Sequence, residues 1–170
     1  VEIGVAATFK PFPGHGDTVG DTHNGVVTLN KTWEQLLACE IIPFKASIEN
    51  GADMIMASHI TLPNVTKESV PTSLSKEMLT DKLRGELGFE GVIITDSLSM
   101  GAITKHYTSD KAALAAFNAG ADILLMPQDF LLAYNAILDA AKNGTVSEER
   151  INESVLRILK LKEKYKIIKE

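Results

Sequence analysis

The sequence predicts an α/β fold in which helices cover a parallel sheet, and three observations carry that prediction. Four short, nearly continuous apolar runs, Ile3 to Phe9, Met54 to Ser58, Val92 to Thr95 and Ile123 to Met126, alternate with longer helix-like segments. The joint between helix and strand recurs. Glu49-Asn50-Gly51-Ala52-Asp53-Met54-Ile55-Met56 echoes Asn118-Ala119-Gly120-Ala121-Asp122-Ile123-Leu124-Leu125-Met126, each a helix end closed by Gly before a buried strand. Lastly, the long connections, Lys10 to Asn30 and His59 to Leu74, follow strands, while those preceding strands are short. Carboxyl ends of parallel strands are where such folds place their ligands.

Each element has a local reason. Ile3 to Phe9 is the first strand, and Lys10 opens a loop. Thr32-Trp33-Glu34-Gln35 is a capping box, its hydroxyl and amide able to satisfy the first free N–H groups of a helix. Pro43 breaks that helix near Ile42 and starts a second, to Glu49. Ser75 precedes a helix to about Leu87, with Met78, Leu79 and Leu83 at helical spacing, and Gly88-Phe89-Glu90-Gly91 leads into the third strand. Ser109 or Asp110 opens a helix ending at Ala119. Phe130 to Lys142 is helical and is stopped by Asn143-Gly144. Ser147 begins the last helix, on which Ile151, Val155, Ile158, Leu159 and Leu161 make one apolar face to about Tyr165.

Bulk properties bound the function. The 170 residues, 45% apolar and 23% charged, have the composition of one globular domain. A net charge of −5 without a basic stripe argues against a nucleic-acid partner, and no apolar run reaches the roughly 20 residues that cross a bilayer. Cys39 is the sole cysteine, which excludes an internal disulfide or a cysteine metal cluster, and it is expected to pack as a small apolar side chain in a helix. Nothing calls for a metal or cofactor. Val1-Glu2-Ile3 carries no initiator Met and no signal-like pattern, so an excised or processed piece is expected. The compartment, cytoplasmic or secreted, is left open.

Lys10 to His23 concentrates three Gly, two Pro, two His and two Asp directly after a strand. Asp21 stands two residues from His23, close enough for its carboxylate to hold one imidazole nitrogen and aim the other outward. Turns also collect these residue types, so a plain loop is the competing reading. Asp96 falls where an apolar run meets a loop, as a site carboxylate or as a helix cap or turn residue. A His–Asp pair and a second carboxylate on one rim fit acid–base and nucleophilic chemistry on a glycosidic bond.

The ordered motifs resemble glycoside hydrolase family 3, and within it the bacterial β-N-acetylhexosaminidases that act on N-acetylglucosamine of peptidoglycan fragments. The family pattern Lys-His-Phe-Pro-Gly-His-Gly-Asp-Thr, then Asp-Ser-His, stands here as Lys10 to Thr18 and Asp21-Thr22-His23. Its nucleophile signature stands as Thr95-Asp96-Ser97-Leu98-Ser99-Met100, and the likeness continues through Ala121 to Pro127 and Ser154 to Leu159. The resemblance implies a retaining exo-β-N-acetylglucosaminidase with Asp96 as nucleophile and His23, oriented by Asp21, as general acid/base. It implies that Lys10, Met56 and His59 line the sugar subsite, although His59 also fits a loop histidine satisfied by backbone. His15, Gly14 and Gly16 shape the loop, and His106 faces solvent. Phosphorolysis and non-catalytic carbohydrate binding or assembly are the competing functions.

Two departures from the family pattern stand out. Pro11 replaces a histidine expected to bind sugar hydroxyls. The length matches only the second half, strands five to eight, of a (β/α)8 TIM-type barrel, so residues 1–170 are expected to be a partial catalytic domain. That domain needs the missing N-terminal half-barrel or a second copy of the chain, and alone is expected to be weakly active or inactive.

Overall fold

The computed structural model describes residues 4–168. Three strands, β1 (Thr8–Phe12), β3 (Met54–Ala57) and β5 (Val92–Thr95), form a parallel sheet in the order β1-β3-β5. Met54 to Ala57 pair in unbroken register with Val92 to Thr95, whereas the β1–β3 register shifts between Phe9 and Phe12. A smaller parallel pair joins β2 (Val27–Thr28) to β4 (Ile60–Thr61). Among the described residues, no helix is long and apolar enough to cross a membrane.

The first strand lies further along the chain than its apolar run. The expected start at Ile3 is outside the described residues, Val5 is 62% exposed, and pairing begins at Thr8 and runs through Pro11 to the fully buried Phe12. Pro11 is tolerated because, among the described residues, β1 pairs on one side only and needs no amide there. Lys10 is therefore a strand residue.

The fourth strand is reduced to one bridge, Ile94 with Ile123. The amides of Asp122 and Ile123 both donate to the Ile93 carbonyl, but the Leu125 amide donates to the Thr95 hydroxyl, and Met126 has a φ of 47°. Side-chain capture of an amide and a left-handed residue end the ladder there.

Three of the turns that lead into sheet positions match the echo in the sequence. Gly51, Gly88 and Gly120 have φ of 73°, 71° and 117°, a region that only glycine enters without strain. The helices follow their caps: α1 (Trp33–Ala38) carries the Thr32–Gln35 capping box, and α2 (Ile42–Glu49) has Pro43 in its first turn. Cys39 does not pack in a helix. It is the exposed C-cap of α1, in the turn that reverses direction before α2.

Thr72–Leu74 is a short 3-10 turn, and Glu77–Glu86 winds with π-type spacing after the Ser75 hydroxyl accepts from the Met78 amide. Met78, Leu79 and Leu83 are fully buried as the spacing implied. The rest are α3 (Gly101–Thr104), α4 (Ser109–Ala119), α5 (Phe130–Lys142) and α6 (Glu148–Lys164).

The expected apolar face of α6 is only partly buried. Ile151, Ile158 and Leu161 are half-buried and Ile151 packs against the core, but Val155 and Leu159 are 45% and 44% exposed, and the buried residue of the helix is Ser154. A polar knot decides this orientation: Ser154 donates to Asp122, as does Arg157, so α6 docks through charge and leaves Val155, Leu156 and Leu159 outside.

Candidate active site

β5 ends at Thr95, and the next residue is Asp96. The Asp96 amide donates to the Ala57 carbonyl at 2.8 Å, which fixes this half-buried residue at the carboxyl end of the sheet. Its Oδ1 accepts from the Ser97 amide at 2.8 Å, and among the described residues Oδ2 takes no hydrogen bond. Leu98 then enters the core, 2% exposed, with its amide on the Leu125 carbonyl. The carboxylate therefore stands on a stiff turn.

His59 supports that turn from below. Its Nε2 lies 2.9 Å from the Ser97 carbonyl, which can only accept, so Nε2 carries a proton, and Nδ1 meets the Ser73 hydroxyl at 2.7 Å. The ring is 1% exposed. Burial holds its pKa below the ordinary histidine value, against the opposing pull of the Ser97 carbonyl and the Asp96 charge. His59 thus makes its contacts inside the chain, next to Asp96.

The loop between β1 and β2 carries Asp21 and His23. Asp21 Oδ1 accepts from the His23 amide at 2.9 Å and from Nδ1 at 2.7 Å, and these two bonds hold the carboxyl below the usual carboxylate range. Nδ1 is thereby the protonated nitrogen toward Asp21, and Nε2 is left outward. Both side chains are open to solvent, 57% and 74% exposed.

Two anchors, neither visible as a motif, hold this loop. At its front Lys31 bridges Asp17 at 2.7 Å and Glu40 at 2.5 Å, and both partners raise the lysine's pKa, Asp17 foremost. Glu40 Oε2 is buried without a hydrogen-bond partner, under a Gly14 whose missing Cβ would lie 2.8 Å from the Glu40 Cβ. At the rear, the Gly101 and Ala102 amides donate to the His23 and Thr22 carbonyls, each at 3.1 Å, and Lys105 Nζ donates to the Asn24 carbonyl at 2.7 Å. Gly101 is five residues beyond Asp96. Asp96 and the Asp21–His23 pair therefore share the carboxyl end of the sheet.

Met56 is half-buried on β3, on the opposite face from the fully buried Ile55 and Ala57, and sits beside Ile94. Lys10 is exposed on β1 and lines a cavity of about 230 Å³ with His15, Gly14 and Phe44. Among the described residues it makes no hydrogen bond to Asp96, Asp21 or His23. His106 is exposed, and His15 Nδ1 meets the Thr18 hydroxyl at 2.6 Å, within the loop it shapes.

Residues 2–161 match the family described as the glycosyl hydrolase family 3 N-terminal domain. The chain belongs to glycoside hydrolase family 3. The partial parallel sheet is accordingly part of the TIM-barrel-like α/β fold of that family's N-terminal domain. Beta-hexosaminidase A of Pseudoalteromonas piscicida is 33% identical over 181 residues, covering 95% of this chain and 30% of that one. A solved family 3 beta-N-acetylglucosaminidase from Paenibacillus sp. str. FPU-7 is 42% identical with a TM-score of 0.95, over 98% of this chain and 32% of that one. A beta-glucoside phosphorylase is 31% identical with a TM-score of 0.91, over 98% of this chain and 32% of that one. The chain spans about a third of the length of these relatives.

Proposed function

We propose that the chain is part of a retaining exo-β-N-acetylglucosaminidase acting on N-acetylglucosamine-containing glycosides such as peptidoglycan fragments. The observation that carries this reading is the hydrogen bond from the Gly101 amide to the His23 carbonyl, which ties the acid/base loop to the chain leaving Asp96. In the proposed reaction an Asp96 carboxylate oxygen attacks the anomeric carbon as His23 Nε2 gives its proton to the departing glycosidic oxygen. The glycosyl-aspartate is then hydrolysed by a water that returns a proton to Nε2. Asp21 keeps Nδ1 protonated and the ring aimed. Met56 and Lys10 border the sugar, and His59 acts through Ser97 to hold Asp96.

Part of that site is supplied from elsewhere in this proposal. Residues 1–170 form the second half of the barrel, strands five to eight, and either a first half-barrel or a second copy covers the outer edge of β1 and the exposed apolar side of α6. Particle size in solution tests this: a compact, stable and fully active monomer of the 170 residues contradicts it.

Asp96→Ala discriminates catalysis from mere carbohydrate binding. Loss of turnover with sugar binding kept supports the proposal, and unchanged turnover refutes it. Phosphorolysis is the second reading, favoured by likeness to a solved phosphorylase and by an acid/base that is neutral when deprotonated and so does not repel an approaching phosphate. Glycosyl phosphate formed in phosphate buffer would select it over hydrolysis.

A further inference from the structure

We propose that Gly101 is a positioning residue for the general acid/base, setting how far His23 stands from Asp96; this rests on the catalytic reading above. Helix α3 begins at Gly101, and the first amides of a helix have no partner inside it. Here the first two are spent on the His23 and Thr22 carbonyls, with Lys105 from the end of α3 taking the carbonyl of Asn24. Three consecutive loop carbonyls are thus gripped by one short helix.

Space, not backbone conformation, requires glycine at this position. Gly101 is absent from the glycines with left-handed φ, so its backbone suits any residue, and alanine is the better helix former. A Cβ built on Gly101, however, would lie 2.5 Å from the His23 oxygen and 3.2 Å from the Asn24 carbonyl carbon. Backbone cannot rotate away as a side chain can, so the loop would have to retreat by about 1 Å, the scale at which misplacement of a reacting group costs about a hundredfold in rate.

The helix itself cannot yield instead. Ala102 and Ile103 are buried at 0% and 1%, and the Leu98 and Met100 amides are fixed to the Leu125 and Ser97 carbonyls. The nucleophile and the grip on His23 therefore sit on one rigid stretch, 96–103, while among the described residues the Asp21 and His23 side chains bond only within the Asp21–His23 pair. Close packing of the loop on Gly101 sets the separation of the two reacting groups.

The test compares leaving groups in the active protein. Gly101→Ala is expected to lower kcat/KM about tenfold to a hundredfold for β-N-acetylglucosaminides whose leaving group needs protonation. For the dinitrophenyl glycoside, which leaves unaided, the loss is expected to be under about threefold, with azide accelerating turnover because it needs no general base. Covalent trapping at Asp96 should persist. Lys105→Met, an exposed change that does not threaten folding, is expected to show the same split, about threefold.

Equal losses on both substrates, or none, overturn the proposal. If Gly101→Ala does not fold, Lys105→Met decides alone. Failure of the wild type to be trapped at Asp96 would instead refute the catalytic reading itself.

Discussion

The two ends of the sheet handle charge in opposite ways. At the amino end Asp122 has no exposed side-chain surface and is surrounded by Arg84, Arg150 and Arg157. Its Oδ2 accepts from Arg84 at 2.6 Å and from the Ile93 amide at 2.9 Å, and its Oδ1 accepts from Ser154 at 2.5 Å and Arg157 at 3.2 Å. Nearby, Lys164 at 2.6 Å and Tyr165 donate to Asp53. Burial pushes the Asp53 carboxyl up, but those two bonds outweigh it, and the same contact takes the Tyr165 phenol to about 12.

At the carboxyl end, among the described residues, Asp96 Oδ2 and His23 Nε2 take no hydrogen bond. The Asp122 and Asp53 carboxylates are spent on the fold, whereas Asp96 and His23 each keep one polar atom open. A cavity of about 510 Å³ lies at the amino end among Asp53, Arg84, Arg157 and Lys160, but most of these groups are already committed to one another. A cavity alone therefore does not locate the chemistry.

The comparison breaks most sharply with a pair of substitutions. Asp122→Ala leaves three arginines without their buried counter-charge and is expected to cost about 3 to 5 kcal/mol in urea unfolding. Asp96→Ala, on a half-buried turn, is expected to change stability by less than about 1 kcal/mol while abolishing turnover. A stable Asp122→Ala would remove the distinction between the two ends.

An intermediate effect is expected where the ends resemble each other. Lys31→Met strands the buried Glu40 carboxylate and should cost about 1 to 3 kcal/mol, part of which Glu40→Gln should restore in the double variant. Additive losses in that cycle would mean that the bridge does not hold the loop.

The pH dependence sharpens the contrast further. His59 has a folded pKa below its ordinary 6.5, so the unfolded chain binds its proton first on acidification. Its contribution is full above pH 6.5 and is lost as pH falls through the lower folded value. Urea midpoints should fall across that window, and His59→Gln should flatten the slope. The smallest expected effect is at Pro11: Pro11→His should raise kcat/KM, by no more than the about 1 to 3 kcal/mol that one recovered sugar hydrogen bond is worth.

Local chemistry in the sequence accounts for much of this fold. The Thr32–Gln35 box, Pro43, the Gly51 and Gly120 turns and the ends of α4 and α5 were legible because each depends on a few adjacent residues. Register and facing depend on distant partners and were less legible. The apolar run before Lys10 misplaced β1 because burial begins only at Phe12, and α6 turned Val155 and Leu159 outward because Asp122, some 30 residues earlier, claims its polar side. Two-residue strands such as β2 and β4 carry too little pattern to be seen inside loops.

Within the site, Asp96, Asp21 and His23 were legible as motifs, and the structure places them on one rim. Gly101 and the Lys31 bridge were not, since a missing Cβ or an ion pair acquires meaning only when the neighbouring segment is in place. The glycine did stand directly after the Thr95–Met100 motif, the one signal available.

Mechanism-based labelling addresses the central claim, that the carboxyl end works as a nucleophile and acid/base pair. The active protein is treated with a 2-deoxy-2-fluoro or 5-fluoro sugar bearing a good leaving group, and the modified peptide is mapped. A single glycosyl ester on Asp96 is the expected result. A label on any other residue, or none while turnover proceeds, would contradict the account.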